Sequence, residues 1–288
     1  MHTTVSDGTD TPEQILEKVR LEGITIFAIT DHDDIKGCRR IMDAGVAGDP
    51  KFITGVEFNS RDKSGKYHIL GYGYDPEAPS INRLVQAGHS YRMNKVRGRI
   101  EGLKEKYGFD FPPEEIEALL ALDNPGKPHI ANLMVKYGYA MSKEDGIDNY
   151  LNTLKIKAEY LDPEIVIKGI KEAGGIPVLA HPSYGSGDEL IIGDELTGRI
   201  QRLRSYGLEG VEAFYSGFTD VLRDEVLAIA ERENLYVTAG SDYHGKNKMV
   251  LLGDNGLDVY GKMPESMVRF LERCMGLMSL YQQHTMKG

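Results

Sequence analysis

The feature that most limits the fold of this chain is an alternation of short β-branched runs with segments of helical periodicity. Pro12 to Glu22 predicts a helix, Ile24 to Thr30 a strand, and Asp34 to Ala44 a second helix. Parallel βα units follow from that rhythm, because a strand and its covering helix bury their apolar faces against each other. Further strands are expected near Phe52 to Phe58 and Tyr67 to Tyr74. From about Ile81 to Asn152 the pattern becomes almost wholly helical, with Ser90 to Tyr107, Pro113 to Leu122 and His129 to Tyr137, and reads as a helical insertion. The βα rhythm then returns with Pro163 to Ala173, Ile176 to Ala180, Asp188 to Tyr206, Gly210 to Phe214, Asp220 to Asn234 and Leu235 to Ala239. The expectation is an α/β barrel made of residues 1–78 and 161–288, interrupted by residues 79–160.

The strands end on a particular kind of residue. Ile24 to Thr30 runs into Asp31 and His32, the strand after Ile53 ends at Glu57, Val178 to Ala180 ends at His181, and Val237 to Gly240 ends at Asp242 and His244. In a parallel barrel those ends share one face, where such folds carry their chemistry. Of the eight histidines, His2, His32, His68, His181 and His244 fall at strand starts or ends, beside Asp, Glu, Gly or Pro. His89 and His284 have the ordinary setting of a helix or a tail, and His129 is intermediate. Imidazole nitrogen with carboxylate oxygen suits zinc, manganese or iron, and a carboxylate such as Glu57 can bridge two ions. The alternative use of a strand-end carboxylate is to cap the next helix, worth about 1 kcal/mol. That alternative stays open for Asp31 and Asp33.

Charge and apolar runs exclude several classes of partner. Lys and Arg number 34 against 44 Asp and Glu, a net charge of −10, so a long duplex nucleic acid is a poor partner. The apolar runs are far shorter than the roughly 20 residues that cross a bilayer, and the opening MHTTVSDGTD lacks a basic-then-apolar signal, which predicts a cytoplasmic protein. The cysteines, Cys38 and Cys274, form no CxxC pair, so metal ligands are expected to be nitrogen and oxygen. Oligomeric state is not readable.

His2-Thr-Thr-Val-Ser-Asp7-Gly8, Thr30-Asp31-His32-Asp33, Gly55-Val56-Glu57, His68-Ile-Leu-Gly-Tyr, Ala180-His181-Pro182 and Gly240-Ser-Asp242-Tyr-His244-Gly245 together resemble the successive motifs of the polymerase and histidinol phosphatase (PHP) family. The resemblance implies a distorted (βα)7-type barrel with a helical insertion, holding two or three divalent ions. It places one ion on His2, Glu57 and Asp242, a second on Glu57, His68 and His181, and a third on Asp7, His32 and His244. It also implies catalytic roles for Glu57 and Asp242, the latter holding or accepting a proton from a metal-bound hydroxide that attacks phosphorus. Tyr91-Arg92 and Gly126-Lys127-Pro128-His129 resemble the insertion of the branch that hydrolyses small phosphate esters. Arg92, Lys95, Lys127 and His129 are then the candidate contacts to a small, nucleotide-like substrate: a nucleotide, nucleoside bisphosphate, cyclic phosphate or short oligonucleotide end. At Lys127 the branch commonly has Arg, the better bidentate clamp.

The family opens with Asp-x-His-x-His, whereas this chain begins Met1-His2. The resemblance therefore implies a histidine missing ahead of Met1, a first site one ligand short, and an uncovered sheet edge. Two other readings are kept from different classes: a zinc amidohydrolase or deaminase on a related barrel, and a catalytically impaired PHP module that binds metal only.

Overall fold

The computed structural model describes residues 1–45, 48–185 and 189–285. Helix α1 (Pro12–Leu21) starts at a capping box in which Thr11 and Gln14 satisfy each other's backbone donors, and it buries Ile15, Leu16 and Val19. It leads to β1 (Ile26–Ala28), α2 (Lys36–Asp43), β2 (Lys51–Ile53), β3 (Gly55–Asp62) and β4 (Gly65–Tyr72). Then come α3 (Pro79–Tyr107), α4 (Pro113–Leu120), α5 (Lys127–Lys136) and the single turn α6 (Lys143–Asp145). The remainder is α7 (Pro163–Glu172), β5 (Ile176–Leu179), α8 (Gly193–Tyr206), β6 (Gly210–Tyr215), α9 (Asp220–Arg232), β7 (Tyr236–Gly240), α10 (Leu257–Tyr260) and α11 (Glu265–Thr285). The expected first residue of α8, Asp188, lies outside the described residues.

Two expectations are corrected. The run from Phe52 to Phe58 is two strands, broken at Thr54, whose hydroxyl donates to the Tyr74 carbonyl at 2.8 Å. Gly55 is needed at the break because a Cβ there would lie 2.5 Å from the Ile29 carbonyl oxygen. The second correction concerns direction: β4 runs antiparallel to both β3 and β5, so His68 reaches the site from within a reversed strand. Among the described residues the seven strands form a two-stranded sheet, β1-β2, and a five-stranded sheet, β3-β4-β5-β6-β7, rather than one hydrogen-bonded ring.

The two sheets meet near the histidines. His32 forms a parallel bridge with Glu57, and the Asp33 N–H donates to the Glu57 carbonyl at 2.9 Å. On the other side the N-terminal dipeptide spans the gap. The His2 N–H donates to the Tyr243 carbonyl at 2.8 Å, and the Thr30 N–H donates to the Met1 carbonyl at 2.9 Å. Below that dipeptide β1 and β7 remain unpaired with each other, and a cavity of 440 Å³ opens between them, lined by Ile24, Ile26, Ile53, Tyr72 and Phe270 with the buried Glu212.

The main core joins α1, α2, α7, α8 and α9 to the sheets through Ile15, Ile41, Phe58, Ile170, Ile200 and Phe214. Residues of α3, α4 and α5 have a core of their own, including Val96, Leu103, Phe111, Ile130 and Met134. No helix among the described residues is long and apolar enough to cross a membrane.

Candidate metal centre

The N-terminal loop is folded around a buried carboxylate. Asp31 accepts from the Thr3 N–H at 2.7 Å, the Thr3 hydroxyl at 2.8 Å and the Ser6 hydroxyl at 2.6 Å. Its role is thus to hold residues 2–7 in place, and the capping alternative is set aside because the first N–H of α2, that of Lys36, is accepted by Asp34 Oδ1 at 2.7 Å instead. Asp33 is no cap either. It accepts from the Asn59 N–H at 3.0 Å, the Asn59 amide at 2.8 Å and Arg92 Nη2 at 3.1 Å. α3 approaches it closely at Gly88, where a Cβ would meet the Asp33 side chain at 2.9 Å.

Glu57 is the hub. Its Oε2 lies 2.9 Å from His2 Nε2 and 3.8 Å from His32 Nδ1. Its Oε1 lies 2.8 Å from His68 Nδ1 and 3.5 Å from His181 Nε2. Asp242 Oδ1 is 3.2 Å from His2 Nε2, and Asp7 Oδ1 is 3.4 Å from His244 Nε2. Three sets of donor atoms each fall within 4.8 Å of one another: His2, Asp7, His32 and His244; His32, Glu57 and His68; and His2, Glu57 and Asp242. All eight residues expected as ligands from the motifs therefore meet at one place. His181 lies outside those three sets but beside the second, with its Nε2 3.2 Å from His68 Nδ1.

Backbone strain marks the same spot. Asp33, His181 and Asp242 have φ of 52°, 26° and 52°, in the region that disfavours side chains. Each such residue costs about 1–3 kcal/mol and persists only where its surroundings hold it. For His181 the support is Glu212 on β6, whose Oε2 accepts the His181 N–H at 2.9 Å.

Burial alone would lower the His2 imidazole, yet its hydrogen bonds to Asp242 and Glu57 carry it up to about 10. Burial would raise Glu57, and the histidines around it, His32 and His68 foremost, hold it well below the ordinary carboxylate range. Asp7 is lowered in the same way by His32 and His244, and Asp242 by His2. These shifts favour the ionised form of the acids, while burial pushes the His32 imidazole well below its ordinary value. Among the described residues Asp7 Oδ1 is buried without a hydrogen-bond partner, as a donor reserved for an ion would be. The site lacks thiolates, and its nitrogen and oxygen donors fit divalent transition ions.

The insertion candidates separate. Arg92 is largely buried and fixed on Asp33, beside Asn59, whose amide lies 3.3 Å from His32 Nδ1. His129 accepts the Gly126 N–H at 3.0 Å; burial lowers its imidazole against the pull of Asp7, whose charge it feels. Lys95 sits 3.8 Å over the ring of Tyr160. Lys127 instead donates to Asn152 at 2.6 Å, within the insertion.

Two residues at the centre carry no motif signal. Lys248 Nζ lies 2.5 Å from Asp242 Oδ2 and 2.8 Å from the Tyr215 hydroxyl, which itself donates to Asp242 at 3.2 Å. Together with Tyr184 and Gly217 they wall a cleft of 420 Å³ over the ligand histidines.

A model of the PHP domain matches residues 1–162, more than half of the chain. The chain belongs to the PHP family. This PHP chain is 28% identical over 257 residues to a 5'-3' exoribonuclease of Haemophilus influenzae, covering 88% of the chain and 92% of that relative. It is 28% identical over 262 residues to a phosphoribosyl 1,2-cyclic phosphate 1,2-diphosphodiesterase of Eggerthella lenta, covering 85% and 93%. A solved structure from Bifidobacterium adolescentis, described as a metal-dependent phosphoesterase, superposes with a TM-score of 0.79 at 28% identity, covering 94% of each chain. The PHP chain is accordingly a phosphoesterase of a metal-dependent family.

Proposed function

We propose that this phosphoesterase hydrolyses a small, nucleotide-like phosphate ester with the help of two or three zinc, manganese or iron ions. The observation that carries the reading is Glu57, a single ionised carboxylate with imidazole nitrogens of four histidines within 3.8 Å of its two oxygens. In this reading His2, Glu57 and Asp242 hold one ion, Glu57, His68 and His181 a second, and Asp7, His32 and His244 a third. When bound, the ions supply an acidified water and positive charge for the phosphoryl oxygens. Asp242 stands at the edge of the cluster and takes the proton of the attacking water, with Lys248 and Tyr215 fixing its second oxygen. Arg92, preset by Asp33, meets the phosphate from the insertion, residues 79–160, with His129 beside it. A preset guanidinium loses little freedom on binding and adds charge where it develops. Lys95 extends that contact, whereas Lys127, turned to Asn152, contributes least.

The relatives named for exoribonuclease and cyclic phosphodiesterase activity support this substrate class. The test is a screen of phosphate mono-, di- and cyclic esters with the chain reconstituted in manganese, zinc or iron. Turnover of at least one nucleotide ester that chelator abolishes is expected. Metal uptake with no turnover of any ester would overturn the reading.

A further inference from the structure

Beyond the candidate metal centre lies a set of five cations, four of which have no carboxylate within 4.0 Å among the described residues. Successive strand residues point to opposite faces, so Glu57, Asn59 and Arg61 share one face of β3, and Lys66 and His68 share the adjoining face of β4. The register pairs Asn59 with His68 and Arg61 directly with Lys66. Like charges opposite each other on one face are destabilising, and this pair has no acidic relief. On α3, Arg92, Lys95 and Arg99 follow at the spacing of one helix face. Lys95 Nζ and Arg61 Cζ lie 3.8 Å and 5.8 Å from the centroid of the Tyr160 ring. Among the described residues, only Arg92 of these five cations has a carboxylate within 4.0 Å, and that carboxylate, Asp33, is already shared with Asn59.

In a chain of net charge −10 such a gathering is not a by-product of composition. The crowding is felt by its members: burial, with Arg92 and Arg99 nearby, pushes Lys95 down to about 7, and burial with Arg92 pushes Arg99 to about 10. From Arg92 to Arg99 the helix advances about 10 Å, so the tract leads from the phosphate contact away from the ions.

We infer that Arg61, Lys66, Lys95 and Arg99 around Tyr160 form a second anion subsite, which takes a second phosphoryl group of the same substrate. The inference rests on the phosphoesterase reading only for what occupies the first position. A second phosphate monoester and the next phosphodiester of a short 5'-phosphorylated oligonucleotide share the required chemistry.

The full chain, freed of metal so that nothing is hydrolysed, is titrated with adenosine 5'-monophosphate, adenosine 3',5'-bisphosphate and a 5'-phosphorylated dinucleotide. The bisphosphate should bind at least about 10-fold more tightly than the monophosphate at low salt, an advantage that shrinks as salt rises. Arg99→Met and, independently, Lys66→Met should each remove most of that advantage without lowering Tm, since each relieves repulsion. A dinucleotide that gains as much as the bisphosphate would show that a diester fills the subsite; one that gains nothing would restrict it to a monoester. Equal affinity for mono- and bisphosphate, or an advantage untouched in both variants, overturns the subsite even if the metal-loaded chain hydrolyses nucleotides. An intact advantage in a chain that hydrolyses no ester would keep the subsite and sink the phosphoesterase substrate reading instead.

Discussion

Glu57→Gln isolates one charge at the centre while keeping its shape. The imidazole nitrogens of His2, His68, His181 and His32 lie 2.9, 2.8, 3.5 and 3.8 Å from the Glu57 oxygens. An ion held by those donors is therefore within a few ångströms of the carboxylate. At an effective dielectric of about 20, one unit charge about 4 Å away is worth about 4 kcal/mol, or roughly a thousandfold in Kd. The variant should lose about three decades of affinity for the tightest ion, more than Asp7→Asn or His181→Ala, which each serve a single ion in the proposed arrangement. Chelator-competition titration and elemental analysis of the reconstituted chains measure this, with near-ultraviolet dichroism to confirm the fold. A change in Kd of less than 10-fold, or a larger loss in His181→Ala than in Glu57→Gln, would refute the bridging role.

Asp242→Asn should keep most of the metal and lower kcat by at least about 100-fold, as expected of a group that moves a proton; a near-normal rate would exclude it as the base. Arg92→Ala and His129→Ala should each lower kcat/KM for phosphate esters by about 10- to 1000-fold, roughly 1.4 to 4 kcal/mol, with metal content unchanged. Loss of metal in either would show that the side chain supports the ligands rather than the substrate. Away from the centre, Asp10 is held below its ordinary value against the cost of burial by hydrogen bonds from Lys18 and Tyr243. Its contribution to stability is therefore present above the unfolded pKa of about 4 and lost as pH falls through the lower folded value. Denaturant titrations should find Asp10→Asn less stable than the parent at pH 6 and the gap closed at the acid end; a gap that persists there would contradict the ion-pair account.

The clustering of these side chains was legible because strand periodicity and residue type coincide: a polar side chain able to bind metal directly after an apolar run has few other uses, and His32, His181, Asp242 and His244 stand at such ends. The reversal of β4 was less visible, since alternation looks the same in either direction. The signal was the Asp62-Lys63-Ser64-Gly65 turn, too short for a parallel crossover. The break at Thr54 is hidden inside a continuous apolar run. Glu212, in Gly210-Val-Glu-Ala-Phe, is a carboxylate within a buried strand, and that oddity could have drawn notice. The places of Lys248 and Tyr215, and the meeting of Arg61 with Lys95 at the Tyr160 ring, exist only in three dimensions, and composition or spacing gives no hint of them.

The join between the two sheets has a consequence for local stability. The short ribbon β1-β2 is tied to the five-stranded sheet at the His32–Glu57 bridge and to the loop after β7 through the Met1-His2 dipeptide, with Phe270 of α11 packed across both sheets. The candidate ligands divide along the same seam: Asp7 and His32 belong to the N-terminal side, while Glu57, His68, His181 and Asp242 belong to the larger sheet. Ions that bind only when the seam is closed act as rivets, and they stabilise the closed form in proportion to the logarithm of their free concentration over Kd. The amide protons of Phe27 and Ala28 should then report metal loading from a distance: rapid hydrogen exchange in chelator and slow exchange in metal, while those of β5 and β6 change little.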